Sequence, residues 1–250
     1  MDLSDSTALV TGAASGLGAA TASALAARRV AVLGLDLPAQ LEKATAPDGV
    51  TFLAADVTDE AQVAAALATI ASPLRLVVNC AGIAPAIRLL SSRGVHDVAS
   101  FERTIDVNTV GTFNVMRLAA ELMATNEPVD DDGQRGLIVN TASVAAFDGQ
   151  IGQVAYAASK GAIVGMTLPA ARDLAAVGIR VCTIAPGLFD TPLLATLPDA
   201  ARAALSKDVV YPGRLGRPEE YAKLVRAIVD IGYLNGEVIR LDGGIRMQPK

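Results

Sequence analysis

A glycine-rich turn between an apolar run and a helical pattern is the strongest constraint on the fold of this chain. The apolar run 8–11 leads into TGAASGLG, residues 11–18, where a helical pattern over 16–28 begins. In βαβ units such glycines allow a tight turn, a close approach of backbone to a pyrophosphate, and close helix–strand packing. The unpaired N–H groups of the helix N-terminus attract the phosphates. We therefore predict a dinucleotide site with Gly12, Gly16 and Gly18 in these three roles, an ordinary turn being the alternative.

An acidic residue at the expected distance favours one cofactor. Asp36 follows Gly18 by 18 residues and ends the second apolar run. A carboxylate there accepts hydrogen bonds from ribose hydroxyls and repels a 2′-phosphate. Leu37 and Pro38 follow, so no adjacent arginine is available for that phosphate. The prediction is NAD rather than NADP.

The chain alternates short apolar runs with helical patterns from end to end. This order predicts βαβ units and a parallel sheet with helices on both faces. The fold class we expect is α/β, a single-domain, Rossmann-like, doubly wound sheet of about seven strands. The candidate strands are residues 8–11, 30–36, 50–55, 74–79, 137–141, 180–185 and 238–241, and the helical patterns are 16–28, 59–71, 99–125, 153–177 and 218–231.

The sequence contains no linker or domain break, so residues 1–250 are predicted to form one domain. Two long irregular segments, 82–98 and 187–216, follow candidate strands at their carboxyl ends. Ligands bind at that edge of open α/β sheets, and loops of this length are usually functional. Both segments are therefore predicted to be substrate loops.

Composition excludes several function classes. A net charge of −5 argues against a nucleic-acid partner, and two cysteines with one histidine argue against a disulfide scaffold or a zinc site. Residues 6–27 carry no charge, but nine of them are Gly, Ser or Thr, which is too polar for a membrane span. The first basic residue is Arg28, so no leader peptide is expected. We expect a cytoplasmic protein without membrane or metal.

Three residues form a candidate catalytic group. Tyr156 and Lys160 are four residues apart in a helical pattern and therefore share one face. A nearby cation lowers the pKa of a phenol, which makes the tyrosine a better base. Ser143 lies just past the fifth candidate strand, where its hydroxyl can hold a substrate oxygen. The alternatives are a solvated helix face for the pair and a helix cap for the serine.

These motifs resemble those of the short-chain dehydrogenase/reductase family. The segments TGAASGLG, NCAG (79–82) and YAASK (156–160), with Asn108 and Ser143, carry the likeness. It implies that Tyr156 is the general acid/base, that Lys160 lowers its pKa and binds the nicotinamide ribose, and that Ser143 positions the reacting oxygen. Asn108 would support a water relay to Lys160. Pro186 and Gly187, with Thr191, resemble the segment that holds the nicotinamide amide, and Asn79 belongs to the cofactor motif.

The likeness is strongest to members of the family that act on 3-hydroxyacyl-CoA, and it extends over nearly the whole chain. It implies hydride transfer between NAD and the 3-hydroxy/3-oxo carbon of a short-chain acyl-CoA, straight or 2-methyl-branched, by a homotetramer. Ser143 and Tyr156 would contact substrate, with Gln153 bordering the pocket. The remaining NAD contacts would be Ser15, Leu17, Asp36, Asp56, Val57, Cys80, Tyr156, Lys160, Phe189 and Thr191.

Two assignments stay open at this point. Asp56 is placed to meet the adenine, but a helix N-cap before Thr58 explains it equally well. The two loops carry cations suited to the CoA phosphates. The alternative is that these long cationic side chains are simply exposed to water, as is usual in loops. Those cations are Arg88, Arg93, Lys207, Arg214 and Arg217, and the nearby apolar residues Ile83, Ile87, Leu188, Phe189 and Leu193 suit an acyl chain or a steroid.

The sequence fits other functions less well. A serine hydrolase would need a G-x-S-x-G turn and a histidine, but the chain lacks the motif and His96 lies in an irregular segment. A non-catalytic NAD-binding module would not need Ser143, Tyr156 and Lys160 together. Within the family, a hydroxysteroid dehydrogenase or a 3-oxoacyl-thioester reductase is the alternative.

Overall fold

The seven parallel strands of one central sheet follow from runs of Val, Leu and Ile without polar alternation, as expected where both faces are covered. The computed structural model describes residues 1–195, 206 and 208–249. The sheet strands are β1 Thr7–Thr11, β2 Ala31–Asp36, β3 Val50–Ala54, β4 Leu74–Asn79, β7 Gly136–Thr141, β8 Ile179–Pro186 and β9 Val238–Leu241. Their order is β3-β2-β1-β4-β7-β8-β9. Between β4 and β7, strands β5 Leu90–Ser91 and β6 Gly94–Val95 form a short antiparallel pair.

Helices cover both faces of the sheet. They are α1 Gly16–Ala26, α2 Pro38–Leu41, α3 Glu60–Leu67, α4 Val98–Ile105, α5 Gly111–Ala124, α6 Val154–Ala175, α7 Pro192–Ala195 and α8 Pro218–Asp230. A π-helical turn, Asp106–Val110, joins α4 to α5, and a 3₁₀ turn, Val144–Ala146, follows β7.

Alternate residues of each strand enter two separate cores. In β1, Val10 packs with Leu25 of α1 and Val225 of α8 on one face. Leu9 packs with Val115 of α5 on the other. This period of two is the pleat of a strand buried on both sides, and it fixes the register of the sheet between its helical layers.

The predicted fold class is confirmed, and every predicted strand lies within one residue of its observed bounds. Differences concern the connections. The helical pattern predicted over 99–125 is interrupted by the π turn, and segment 82–98 contains the β5–β6 hairpin. Helix α3 ends at Leu67 rather than continuing to residue 71, because turn-forming backbone hydrogen bonds at Thr69 and Ile70 close it.

The strand order creates a crevice between β1 and β4. The chain leaves β1 towards β2 on one side, whereas β4 continues towards β7 on the other. The carboxyl ends of β1, β4, β7 and β8 therefore open into one space, the usual ligand site of such sheets. Within the described part of the chain, no helix is long and apolar enough to cross a membrane. The same residues contain no His/Cys/Asp/Glu group arranged for a metal ion.

Candidate active site

A cleft of about 780 Å³ lies at the carboxyl edge of the sheet. It brings together every predicted site residue except Asn79 and Asn108. The predicted residues that line it are Gly12, Ser15, Gly16, Leu17, Gly18, Asp36, Asp56, Val57, Cys80, Ser143, Gln153, Tyr156, Lys160, Pro186, Gly187, Phe189 and Thr191.

The glycine turn has the geometry that its sequence predicts. Gly12 has a φ of +65° and Gly16 a φ of +54°, both in the left-handed region that side chains rarely adopt. A Cβ on Gly18 would lie 2.1 Å from the carbonyl oxygen of Gly12, so only glycine lets the first turn of α1 pack this closely. Ser15, the N-cap of α1, makes no side-chain capping bond. Its hydroxyl and the free N–H groups of the helix start therefore lie at the cleft surface for an anion.

Asp36 is fixed at the end of β2 by two backbone donors. Its carboxylate accepts from the N–H of Ala14, in the glycine turn, at 3.0 Å and from the N–H of Leu37 at 2.8 Å. Leu37 and Gln40 line the adjacent wall. This end of the cleft therefore presents a held carboxylate beside apolar and neutral side chains.

Asp56 forms a turn after β3 and does not cap α3. Its Oδ1 accepts from both the N–H and the hydroxyl of Thr58, at 2.9 and 2.7 Å. The N-cap of α3 is Asp59, which accepts from the N–H of Gln62 at 3.1 Å. The N-cap alternative for Asp56 is therefore wrong, because the helix begins one turn later. Val57 beside it lines the cleft.

Arg103 of α4 is a cleft residue that was not predicted from the sequence. Its guanidinium lies 3.8 Å from Oδ2 of Asp56, and both side chains line the cleft. Arg103 lies far from Asp56 in the chain and belongs to no recognisable motif. No sequence signal identified it, because only the tertiary fold brings α4 near the turn after β3.

Ser143, Tyr156 and Lys160 converge at the opposite end of the cleft. Ser143 is buried at the N-cap of the 3₁₀ turn, where its Oγ accepts from the N–H of Ala145 at 3.1 Å. The Lys160 Nζ lies 5.9 Å from the centre of the Tyr156 ring and donates to the carbonyl of Thr141 at 2.8 Å. The tyrosine and lysine share a face of α6, as their spacing predicts.

The pKa of Tyr156 differs from the expectation. Burial raises the pKa of the phenol, and a hydrogen bond with the Ser143 hydroxyl offsets part of that rise. We expected Lys160 to lower this pKa, but its ammonium is directed at a backbone carbonyl. Burial also lowers the pKa of Lys160 from 10.5 to about 8. Taking each group out of water disfavours its charged form.

Asn108 lies in the π turn, completely buried behind the cleft. Its Oδ1 accepts from the N–H of Ile83, and its Nδ2 donates to the carbonyl of Ile83, both at 2.8 Å. Nδ2 also donates to Oγ of Ser159, the residue before Lys160, at 2.9 Å. Asn108 thus ties the start of segment 82–98 to helix α6.

Asn79 and Cys80 end β4 beneath the cleft. The Asn79 side chain is buried and donates to Oδ1 of Asn140 at 2.9 Å, away from the cleft lining. The N–H of Cys80 donates to the hydroxyl of Thr11 at 3.1 Å. Its thiol packs against Thr141 and Tyr221, and burial raises its pKa. The thiol is therefore held by contacts within the protein.

Comparison with known proteins identifies the family. A family model described as short chain dehydrogenase matches residues 6–202. The chain belongs to the short-chain dehydrogenase family. It is 55% identical to 3-hydroxyacyl-CoA dehydrogenase type-2 of Drosophila melanogaster over 99% of this chain and 100% of that protein. The human protein of the same name is also 55% identical, covering 97% of this chain and 95% of that one.

A solved structure agrees with the sequence relatives. The crystal structure of 3-hydroxyacyl-CoA dehydrogenase type-2 from Mycobacterium avium superposes with a TM-score of 0.89 at 40% identity. It covers 98% of this chain and 97% of the other. The expected resemblance to the members acting on 3-hydroxyacyl-CoA is confirmed.

The chain after β8 completes the cleft of this short-chain dehydrogenase. A Cβ on Gly187 would lie 2.8 Å from the Cβ of Asp242, which brings the end of β8 close to the segment after β9. Phe189 is buried, and its backbone bridges to Gly216. Thr191 lies near Gly16, since a Cβ added to that glycine would be 3.5 Å from the Thr191 side chain. The β8 end and the glycine turn are therefore opposite walls of one groove.

Of the predicted CoA-binding cations, those that the structure describes do not line the dehydrogenase cleft. Arg88 and Arg93 are exposed and do not line it. Arg214 makes a bidentate ion pair with Glu220, both distances being 2.8 Å, so it braces the start of α8. Arg217 is the N-cap residue of α8. Lys207 and the side chain of Leu193 lie outside the described residues.

Only some of the apolar residues predicted to suit an acyl chain or a steroid line the cleft. Ile83, Leu188 and Phe189 line the cleft, whereas Ile87 does not and instead donates its N–H to the carbonyl of Gly152 at 2.9 Å. Met247, near the C-terminus, lines the cleft as well and was missed by the sequence analysis, because no motif marks it.

Proposed function

We propose that this dehydrogenase transfers hydride between NAD and the 3-hydroxy/3-oxo carbon of a short-chain acyl-CoA. The observation that carries the proposal is the convergence of Ser143, Tyr156 and Lys160 at one end of a cleft whose other end holds Asp36. The names of the relatives at 55% identity support the substrate class.

The residues present suit a nicotinamide dinucleotide. Gly12 and Gly18 let the turn pack against backbone that a Cβ would clash with, and the start of α1 offers N–H groups to phosphates. Asp36 would accept from the ribose hydroxyls and favours NAD over NADP. Asp56 and Val57 would meet the adenine, while Pro186, Gly187 and Thr191 would hold the nicotinamide. When bound, the cofactor would supply the hydride acceptor.

Tyr156 would exchange the proton. Its raised pKa keeps the phenol protonated at neutral pH, ready to donate to a 3-oxo group. In the oxidative direction the phenol must first lose its proton, and then it accepts the proton of the 3-hydroxyl group. Ser143 would hold the substrate oxygen, since it lines the same cleft as Tyr156.

Lys160 and Asn108 would support this proton exchange at Tyr156. The Lys160 ammonium would bind the nicotinamide ribose and favour the phenolate by its charge. Asn108 orients the backbone of Ile83 and the hydroxyl of Ser159 on either side of it. Its place next to Ser159 is compatible with the water relay implied by the resemblance.

The substrate class is tested by steady-state kinetics with NAD and NADP. Oxidation of 3-hydroxybutyryl-CoA, straight and 2-methyl-branched, is compared with the truncated thioester and with hydroxysteroids. We expect a higher kcat/KM for the CoA esters, since binding of the remote CoA contributes to turnover. A hydroxysteroid or truncated thioester as the better substrate at low salt would replace the acyl-CoA proposal by the alternative.

We further propose a cytoplasmic homotetramer. Large apolar side chains are exposed on and before the helices that follow β4 and β7, among them Val110, Phe113, Val154 and Leu168. Exposed apolar patches commonly mark contacts between proteins. Light scattering at micromolar concentration should give the mass of a tetramer, and a monomeric mass would contradict the assembly.

A further inference from the structure

The C-terminal tail, defined here as residues 245–249, is anchored at its start by Arg240 of β9. The guanidinium of Arg240 donates to the carbonyl of Ile245 at 3.1 Å. It also binds the carboxylates of Asp148 and Asp242 at 2.6 and 2.8 Å, and it lies 5.3 Å from the centre of the Phe147 ring. Ile245 itself is 1% exposed. The start of the tail is therefore fixed to the segment that follows the Ser143 turn.

The end of the tail is anchored by a second segment. The N–H of Ile151 donates to the carbonyl of Pro249 at 3.1 Å, and Nε2 of Gln150 donates to the carbonyl of Gln248 at 2.9 Å. The tail is thus held on both sides of Met247. A residue between two backbone anchors has a defined position, unlike a free terminus.

Met247 lines the cleft close to the segment that carries Gln153. Its side chain is half-buried and lines the cleft, whereas Arg246 and Gln248 on either side are exposed. The anchoring segment also orients Gln153, because Oε1 of Gln153 accepts from the N–H of Gln150 at 3.0 Å. Gln150 thus contacts both Gln248, the neighbour of Met247, and Gln153, which lies three residues before Tyr156 in the chain. Met247, Gln153 and Tyr156 all line the cleft.

We infer that Met247 forms the apolar end wall of the acyl pocket and limits the length of acyl chain that the enzyme accepts. The inference rests on the proposed function for the identity of the chain that meets this wall. Methionine is unbranched and polarizable, so it packs against short alkyl groups of varied shape. Its position depends on the tail anchors, so the anchors at Arg240 and Gln150 are positioning groups for selectivity.

The test compares kcat/KM for 3-hydroxybutyryl-CoA and 3-hydroxyoctanoyl-CoA. Met247→Ala removes three heavy atoms from the wall and should raise the octanoyl-to-butyryl ratio at least about tenfold, because one methylene in an apolar pocket is worth about tenfold or more. Met247→Phe should lower the ratio, and Met247→Leu should restore it close to the wild-type value. Gln150→Ala removes one hydrogen bond that holds the tail. It should shift the ratio in the same direction as Met247→Ala, but by a smaller factor.

Gln248→Ala is the matched control, since it changes an exposed side chain of the same tail and leaves its anchoring carbonyl. Its ratio should equal that of the wild type. An unchanged ratio in both Met247→Ala and Met247→Phe, with folding verified by thermal unfolding, would overturn the inference. A shift of the ratio in Gln248→Ala equal to that in Met247→Ala would also overturn the inference.

The proposed function is judged separately, on the wild type. Absence of turnover with every 3-hydroxyacyl-CoA would refute that function. In that case the same variants are tested with the substrate series that the wild type does oxidise, either N-acetylcysteamine thioesters or 2-alkanols. The kcat/KM ratio of a long to a short member of that series is then compared between variants. A shifted ratio there supports the end wall, and an unshifted ratio refutes it.

Discussion

Replacing Lys160 by methionine measures the cost of a buried ammonium at the centre of the site. Lys160 is 5% exposed, and burial lowers its pKa from 10.5 to about 8. One pKa unit corresponds to about 1.4 kcal/mol of interaction free energy. The charged form therefore lowers the folding stability of the wild type by about 3 kcal/mol at pH 7.

The sign of the pH dependence follows from the direction of the shift. Because the folded-state pKa lies below the unfolded value, the unfolded chain binds more protons between pH 8 and 10.5. The penalty is complete below pH 8 and disappears as the pH rises through this window. At pH 9.5 about 1 kcal/mol of this penalty remains. The free energy of unfolding of the wild type should therefore rise by about 2 kcal/mol relative to that of Lys160→Met between pH 7 and 9.5.

Urea unfolding of both proteins without cofactor, at one protein concentration, gives the two free energies of unfolding at each pH. Lys223→Met is the control, since Lys223 is an exposed lysine of α8. Its difference from the wild type should not change with pH. A difference between wild type and Lys160→Met that stays constant within about 0.5 kcal/mol would refute the buried-charge argument.

Three further results are expected. Asp36→Ala should lower the NAD-to-NADP ratio of kcat/KM by about tenfold or more, because hydrogen bonds to a charged group are lost; unchanged preference would place cofactor discrimination elsewhere. Tyr156→Phe should lose about 10²–10⁴-fold in kcat while NADH fluorescence still reports binding; near-wild-type turnover would exclude it as the acid/base. Gly18→Ala should destabilise the fold by about 1–3 kcal/mol and weaken NAD binding, since its Cβ meets the Gly12 carbonyl. Gly232→Ala, with nothing within 4 Å of the added Cβ, is its control, and equal effects would remove the packing explanation.

The sheet and the cofactor end of the cleft were predictable because their signals are local. Runs of Val, Leu and Ile mark strands buried on both faces, and the glycine spacing around residues 12–18 requires positive φ and close packing. Tyr156 and Lys160 share a helix face by their spacing alone. These features depend on backbone geometry within a few residues, so local sequence patterns are enough to predict them.

Other features depend on distant packing and were not predictable. Arg103 meets Asp56 only through the placement of α4, and Met247 lies in a tail that Arg240 and Gln150 contact from distant parts of the chain. The direction of the Tyr156 pKa shift was also missed, since the extent of burial is set by surrounding loops. The identity of NAD, the residue roles and the tetramer remain predictions.

The π turn at Asp106–Val110 has a consequence for how the gene can change. One extra residue per π turn rotates the following helix by about 100° relative to an uninterrupted α-helix. The apolar face of α5, with Val115 and Met123 completely buried, is in phase with the sheet only after this rotation. A single-codon deletion between α4 and α5 would move Asn108 and also turn that apolar face away from the core. The segment therefore tolerates substitution better than any change of length, and its length would persist even in a descendant that had lost the reaction.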